Sequence, residues 1–382
     1  MISGNDGGRM LEGVKVVDLT SVVFGPYATK ILAELGADVI KIEPLEGDVA
    51  RFLGKGAVSP TMSPAFMAMS QGKTSLSMDL KLPENQAKLR ALIMDADVLI
   101  HNIRGKAAQT LGIDYEAVRA IKPDIIHVHC TGFAQDGPYA ELQAYDDVIQ
   151  AASGTATLLS RVDGNPKPRY LPSLIADKVS GLHGAYAVLG AVIHRLRTGE
   201  GQSIEVPMFE SFTNFMLLEH LGGLTFDPPN APVCYFRQID PDRQPFTTSD
   251  GAISIVPYTA EMAPRLFAVL EDLPFLASEA FAATAKSQPA RMKLVLRRIA
   301  ALTPNFTTAE LLERCAENRV PAQAVRDMAD IMEDPHLKAT GFFEHRTHPT
   351  EGDWYSMKPP VKFGVTFKTA DGEPPLLGAD NL

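Results

Sequence analysis

Two hydrophobic rhythms alternate along the chain up to about residue 200. One is a short apolar run rich in β-branched residues: residues 14–19 (VKVVDL), 37–43 (ADVIKIE), 97–102 (DVLIHN) and 125–130 (IIHVHC), with 75–80 (SLSMDL) read the same way. Runs of this length and composition predict strands. The other is helical. Gly25-Pro26 opens a stretch reaching about residue 35, Pro83 occupies the first turn of 83–94, and 115–121 forms a shorter piece. Strands separated by helices imply right-handed βαβ units and a mostly parallel sheet covered on both faces.

Residues 176–197 (ADKVSGLHGAYAVLGAVIHRLR) predict one long helix, whose glycines at 181, 184 and 190 suggest close packing against a neighbour. A turn at 198–202, a strand at 203–206 and a helix near 209–221 follow. The composition changes at Asp227-Pro228-Pro229. Beyond it a smaller unit is expected, with a strand near 252–256 and helices near 263–270, 289–301 and 308–318. The expected organisation is a disordered start (1–9), a large Rossmann-like domain (10–225), a small α/β domain (226–325) and a return to the large domain (326–382).

Composition narrows the function classes. The 382 residues are 45% hydrophobic and 21% charged, which gives length enough for a full core and for two domains. Net charge is −10, which argues against broad nucleic-acid binding. No apolar run approaches the roughly 20 residues of a membrane span, and residues 1–9 lack the apolar stretch of a secretory signal. Cys130, Cys234 and Cys315 are odd in number and far apart, which suits a reducing cytoplasm. The nine histidines form no metal motif; His345 and His348 read as loop residues beside a proline.

A doubly wound sheet binds its ligand at the carboxyl ends of its strands. Glu43 sits where a ribose-binding acid of a dinucleotide site would stand. The first turn, however, reads TSVVFGP over 20–26, without GxGxxG, and no P-loop is present. NAD and ATP are disfavoured.

Seven segments then occur in order: LEGVKVVDLTSVVFGPYATKILAELGADVIKIEP opening at Leu11, SQGKTSLSMDL at 70–80, HNIRGKAAQTLGID at 101–114, TGFAQDGPYA at 131–140, AYDDVIQAASG at 144–154, TGEGQ ending at Gln202, and NRVPAQAV…DPHLKATGFF at 318–343. Together they resemble the class III CoA-transferases, the family that includes formyl-CoA:oxalate and carnitine CoA-transferases, from Met10 to about Gly364. The resemblance implies a Rossmann-like large domain with a parallel sheet, a smaller inserted α/β domain and an interlocked homodimer. It implies acyl-CoA and a small carboxylic acid as substrates, with no tightly bound cofactor and no metal.

By the same resemblance Asp177, in SLIADK, matches the family nucleophile. Its carboxylate would attack an acyl-CoA thioester and form an aspartyl anhydride, then an aspartyl-CoA thioester. Read locally, Asp177 is a helix N-cap, and a helix N-terminus would keep its carboxylate ionised. Racemases of similar fold carry a histidine in a GHD motif that aligns here with Tyr145. Tyrosine, with an ordinary pKa of about 10, is a poor proton carrier at neutral pH, so Tyr145 favours transfer over racemisation. Tyr145 is expected either to line the acyl site or to be a buried aromatic. Asp146 is expected to support the site, cap a helix or face solvent. His183, six residues along the helix from Asp177, faces away from it. The positions matching the family's CoA site are Val22, Val23 and Phe24, then Ser70, Gln71, Gly72 and Lys73, then Asn102, Ile103 and Arg104. Lys73 and Arg104 are the expected phosphate cations. The family's N-x-x-K-R reads SQGKT here and Pro44 replaces a further arginine, so Lys106 or Arg51 would compensate. The alternatives are a 2-methylacyl-CoA racemase and a non-catalytic CoA-binding protein; a histidine opposite Asp177 would favour the first. The acyl donor and acceptor stay open.

Overall fold

In a computed structural model describing residues 8–257, 262–364 and 372–381, the chain runs β1 (Lys15–Leu19), α1 (Phe24–Glu34), β2 (Asp38–Glu43), α2 (Pro64–Ser70), β3 (Thr74–Ser77), α3 (Pro83–Asp95), β4 (Val98–His101), α4 (Gly105–Leu111), α5 (Tyr115–Ile121), β5 (Ile126–Thr131), α6 (Asp146–Ala152), α7 (Leu158–Asp163), α8 (Ile175–Thr198), β6 (Gln202–Pro207) and α9 (Met208–His220). It continues with β7 (Phe246–Thr247), β8 (Ala252–Ile255), α10 (Met262–Val269), α11 (Glu279–Ala283), α12 (Gln288–Leu302), α13 (Thr308–Glu317), β9 (Ala322–Ala324), α14 (Pro335–Thr340), β10 (Phe343–His348) and β11 (Gly352–Met357).

Two compact units result. The first comprises residues up to 156, 170–216 and 336 onward; the second comprises 157–169 and 217–335. Residues 326–335, expected with the returning tail, therefore belong to the second unit, as does 157–169. Of the stretch expected to be disordered, residues 1–7 lie outside the described residues, while Arg9 pairs with Asp38 at 3.0 Å.

The first unit is built on six parallel strands in the order β3-β2-β1-β4-β5-β6. Successive residues of the central strands enter opposite cores. Val16, Val98 and Ile100 pack with α1 and α8, whereas Val17 and Leu99 pack with Leu89 and Ile93 of α3. Burial on both faces explains why these strands read as continuous apolar runs. The long helix α8 lies close on α1: a Cβ added at Gly181 would meet the Phe24 carbonyl oxygen and the Tyr27 ring at 2.9 Å, and one at Gly184 would meet Ala28 at 3.3 Å. Gly190 departs from expectation, since a Cβ there would meet nothing within 4 Å.

Residues 343–357, where His345 and His348 were expected in a loop, form the antiparallel hairpin β10–β11. His345 and His348 are thus strand residues. His348 is buried, with Nε2 donating to the Pro374 carbonyl oxygen at 2.8 Å, and His345 lies 3.8 Å from Asp353. Residues 375–381 lie against the edge strand β3. Ser75 and Ser77 donate their amides to Asp380 and Asn381, each at 2.8 Å, and the Asp380 amide returns a bond to the Ser75 carbonyl oxygen at 3.1 Å.

The second unit holds an antiparallel sheet, β7-β8-β9. Its core gathers Phe246, Ile253 and Ile255 from the strands with Leu266, Phe267, Ile299 and Leu311 from the helices.

Candidate functional site

The strand order reverses between β1 and β4, the switch point at which doubly wound sheets bind ligands. The loop leaving β1 is shaped from below by buried charge. Asp18 at the end of β1 pairs with Lys73 at 3.3 Å, Lys41 with Asp48 at 2.7 Å, and Arg51 with Glu43 at 2.7 Å, all six side chains almost fully buried. Burial pushes the Asp18 carboxyl upward, but Lys73 and Lys41 outweigh it and hold the group below the usual range. Burial lowers the Lys73 ammonium to about 8 despite Asp18.

This network grips the loop backbone. Lys41 Nζ donates to the Thr20 carbonyl oxygen at 2.8 Å, and the Val22 amide donates to Asp48 at 2.9 Å. From β4, Asn102 accepts from the Ser21 amide at 3.1 Å and donates to the Ser21 carbonyl oxygen at 2.9 Å. So held, Val22 adopts φ +72°, a left-handed conformation that costs a β-branched residue about 1–3 kcal/mol.

Two expectations fail here for one reason: the cations are already paired. Lys73 is no phosphate ligand, because Asp18, Thr29 Oγ1 at 2.7 Å and the Pro26 carbonyl oxygen at 3.1 Å surround its ammonium. Arg51, the substitute, has its guanidinium on both oxygens of Glu43 and on the Pro375 carbonyl oxygen. Glu43 in turn is consumed by Arg51 and Ser75 and cannot serve a ribose. Ser70, Gln71 and Gly72 form the turn from α2 to β3, closed by the Lys73 amide on the Ser70 carbonyl oxygen at 3.2 Å. Ser70 is buried, and Gln71 faces a separate groove beside Trp354. Val23 is buried among Met62, Phe66 and Met67.

Above the switch point lies a cavity of about 220 Å³. It brings together Val22 and Phe24 from the first loop, Asn102 and Arg104 from the β4 loop, Tyr145, and Asp177. A neighbouring cavity of about 480 Å³ crosses the carboxyl ends of β1 to β4 and is lined by Ile103, Pro44 and Lys81; Ser21 borders both. Arg104 is exposed at the rim, where Gln143, its amide oxygen turned toward the guanidinium, accepts at 3.2 and 3.3 Å.

Asp177 is not the N-cap of α8. The helix begins at Ile175, and Leu174 occupies the cap position without a side-chain bond. The cap comes from α6: Asp146 Oδ2 accepts from the Ala176 amide at 2.7 Å and the Asp177 amide at 3.1 Å. Asp177 stands within the first turn, as the third residue of the helix, 7% exposed. Burial, with the Asp146 charge second, pushes its carboxyl up to about 7. The expectation that the helix terminus would keep Asp177 strongly acidic is overturned, since Asp146 holds those amides.

Tyr145 is 63% exposed, a residue of the cavity mouth and not a buried aromatic. The histidine in the cavity wall, His129 of β5, was not foreseen. Its Nε2 donates to the Ile103 carbonyl oxygen at 3.0 Å, and its ring stacks on His101 at 4.5 Å. His101 lies 3.2 Å from His127, and burial lowers the pKa of all three. The bond commits Nε2 of His129 to the backbone and leaves only its Nδ1 side for the cavity. His183 bonds the Val179 carbonyl oxygen of its own helix at 2.9 Å. Of the three roles open to Asp146, the structure shows the cap, given to α8 and not to its own helix; Gln150, four residues along α6, was the unforeseen contributor, and its i,i+4 spacing from Asp146 was the available signal.

A family model described as CoA-transferase family III matches residues 11–381. The succinate–glutarate CoA-transferase of Agrobacterium fabrum is 32% identical over 340 residues, 87% of this chain and 84% of that one. The succinyl-CoA:mesaconate CoA-transferase of Haloarcula hispanica is 29% identical over 378 residues, 96% and 93% of the two chains. Among solved structures, a CaiB/BaiF family protein from Brucella suis superposes with a TM-score of 0.82 at 29% identity, covering 98% of both chains.

Proposed function

Because the chain belongs to the class III CoA-transferases, we propose that it moves coenzyme A between carboxylic acids through covalent intermediates on Asp177. The observation that carries this reading is a buried carboxylate, raised to about 7, in the wall of the switch-point cavity. A carboxylate that is ionised in part near neutral pH yet weakly solvated is a better nucleophile than a surface aspartate.

The exchange balances without an added proton. Asp177 attacks the thioester carbonyl, the C–S bond breaks, and an acyl-aspartyl anhydride and CoA thiolate form. The thiolate attacks the aspartyl carbonyl, releasing the first carboxylate and leaving an aspartyl-CoA thioester. The acceptor carboxylate repeats these steps in reverse order and departs as its CoA thioester.

The two adjoining cavities suit an extended ligand, with the thioester beside Asp177 and the nucleotide over the ends of β1 to β4. Val22, Phe24, Asn102 and Ile103 would line its path, and Arg104 is the cation offered to a phosphate. Tyr145 would meet the acyl group at the mouth through its ring and hydroxyl. Relatives named for succinate, glutarate, malate, mesaconate and oxalate support dicarboxylic acids as the substrate class. A homodimer is supported by the exposed stripe Leu182, Tyr186, Ile193 and Leu196 on α8. Free, unbridged cysteines at 130, 234 and 315 accord with a reducing cytoplasm.

The test is direct. Incubation with succinyl-CoA, trapping with hydroxylamine or borohydride and digestion are expected to mark the peptide carrying Asp177. Full exchange activity in Asp177→Ala would overturn the mechanism.

A further inference from the structure

Resting on the assignment of Asp177 as nucleophile, we propose that Asp146 and Gln150 of α6 form a positioning clamp that holds the first turn of α8 and withholds its amide donors from Asp177.

The geometry is specific. Asp146 is 3% exposed, and both its oxygens are engaged. One accepts from the amides of Ala176 and Asp177, and the other from Gln150 Nε2 at 2.6 Å. Gln150, fully buried, reaches on to the strand of chain that leads into α8. It accepts from the Leu171 amide at 2.8 Å and donates to the carbonyl oxygens of Ser173 at 3.2 Å and Leu171 at 3.3 Å. The clamp therefore fixes residues 171–177 from an element 21 to 31 positions earlier.

Its electrostatic effect follows. The free amides of a helix N-terminus ordinarily favour a nearby anion. Here they face Asp146, so Asp177 receives the charge of a second carboxylate where it would otherwise receive donors. That charge is the second cause, after burial, of the raised Asp177 carboxyl. The other titratable and charged groups around the cavity are His129 and Cys130 on β5, Arg104 ahead of α4, and Glu141 and Tyr145 on the loop into α6. Burial keeps His129 and Cys130 neutral near pH 7. A more basic carboxylate attacks a thioester faster once ionised, so the clamp exchanges some ionisation for nucleophilicity.

Asp146→Asn keeps an oxygen for the amides and removes the charge. In the full-length protein, the acid limb of the exchange rate is expected to move to lower pH by about one unit. The plateau rate should fall about tenfold, with KM for succinyl-CoA changed less than threefold. Gln150→Ala leaves the charge and loosens the loop: its acid limb should stay in place while kcat falls several-fold. An unmoved limb in a folded Asp146→Asn, or an unchanged kcat in Gln150→Ala should the first variant not fold, overturns the clamp. In either case continued labelling of Asp177 shows that the nucleophile assignment survives, whereas loss of labelling in the unmutated protein overturns both.

Discussion

Beneath the first loop, three acids and three bases are buried in matched pairs; at the start of α8, two carboxylates are buried side by side. The first set, Asp18, Glu43 and Asp48 with Lys41, Arg51 and Lys73, is neutral as a group, and Asp18, Lys41 and Asp48 hold the backbone of Thr20 and Val22. The second set consists of Asp146, whose charge is satisfied by amides, and Asp177, on which only burial and a like charge act. Burial alone thus does not distinguish scaffold from chemistry; the balance of charge does. A paired buried charge is inert and stiffens what it touches, while an unbalanced one keeps its reactivity.

The largest effect should come from Asp177→Asn. Exchange is expected to fall by at least about a thousandfold, measured by CoA transfer between two acids. The fold should gain stability at the same time. The folded carboxyl titrates at about 7 and the unfolded one near the usual 3.8. The folded state therefore holds the extra proton between these values, and its advantage is lost as pH rises through 7. Removing the acid should stabilise the protein on the order of a few kcal/mol at pH 8 and progressively less toward pH 4, read by urea denaturation.

Lys73→Met tests the paired set. It strands Asp18 in the interior and should cost about 3–5 kcal/mol, while the protein that remains folded keeps its KM for acyl-CoA. Arg104→Ala should do the reverse: KM rises about tenfold, and stability changes by less than about 0.5 kcal/mol. Equal KM effects in the two variants would erase the distinction.

The smallest effect concerns the three histidines behind the cavity. Burial lowers His101, His127 and His129 from the ordinary 6.5. Below that value the unfolded chain binds more protons, so stability rises with pH through this window. Asp177 contributes the opposite slope over part of the same range. Melting curves of Asp177→Asn between pH 5 and 7 should therefore show a steeper rise than the unmutated protein, and a shallower one would contradict both assignments.

Much of the first unit was legible because its central strands are buried on both faces and α3 opens on Pro83. Strand β3 was read at 75–80 and ends earlier, at Ser77, and the hairpin was not read at all. FEHRTH alternates polar residues on both faces, and only pairing with GDWYSM and the bond from His348 to residue 374 make it a strand. In the site, Asp177 and Tyr145 could be named only through the family resemblance, since local pattern made Asp177 a helix cap, and their surroundings could not be named at all. Whether Lys73 faces a phosphate or Asp18 depends on contacts 55 residues apart, and the cap of α8 comes from α6. Position in the sequence identifies a charge; only packing shows whether it is already neutralised.

The segment lying on β3 carries a consequence for biogenesis. The amides of Ser75 and Ser77 are satisfied by side chains about 300 residues downstream, as is part of the Arg51 guanidinium, through the Pro375 carbonyl oxygen. During synthesis the edge of the sheet would stay open until that segment emerges, presenting unpaired strand groups to neighbouring nascent chains. Contacts of such high sequence separation also slow folding. Chains cut between residues 364 and 372 are accordingly expected to be sticky before they are unstable, and a chaperone would meet this protein at β3 first.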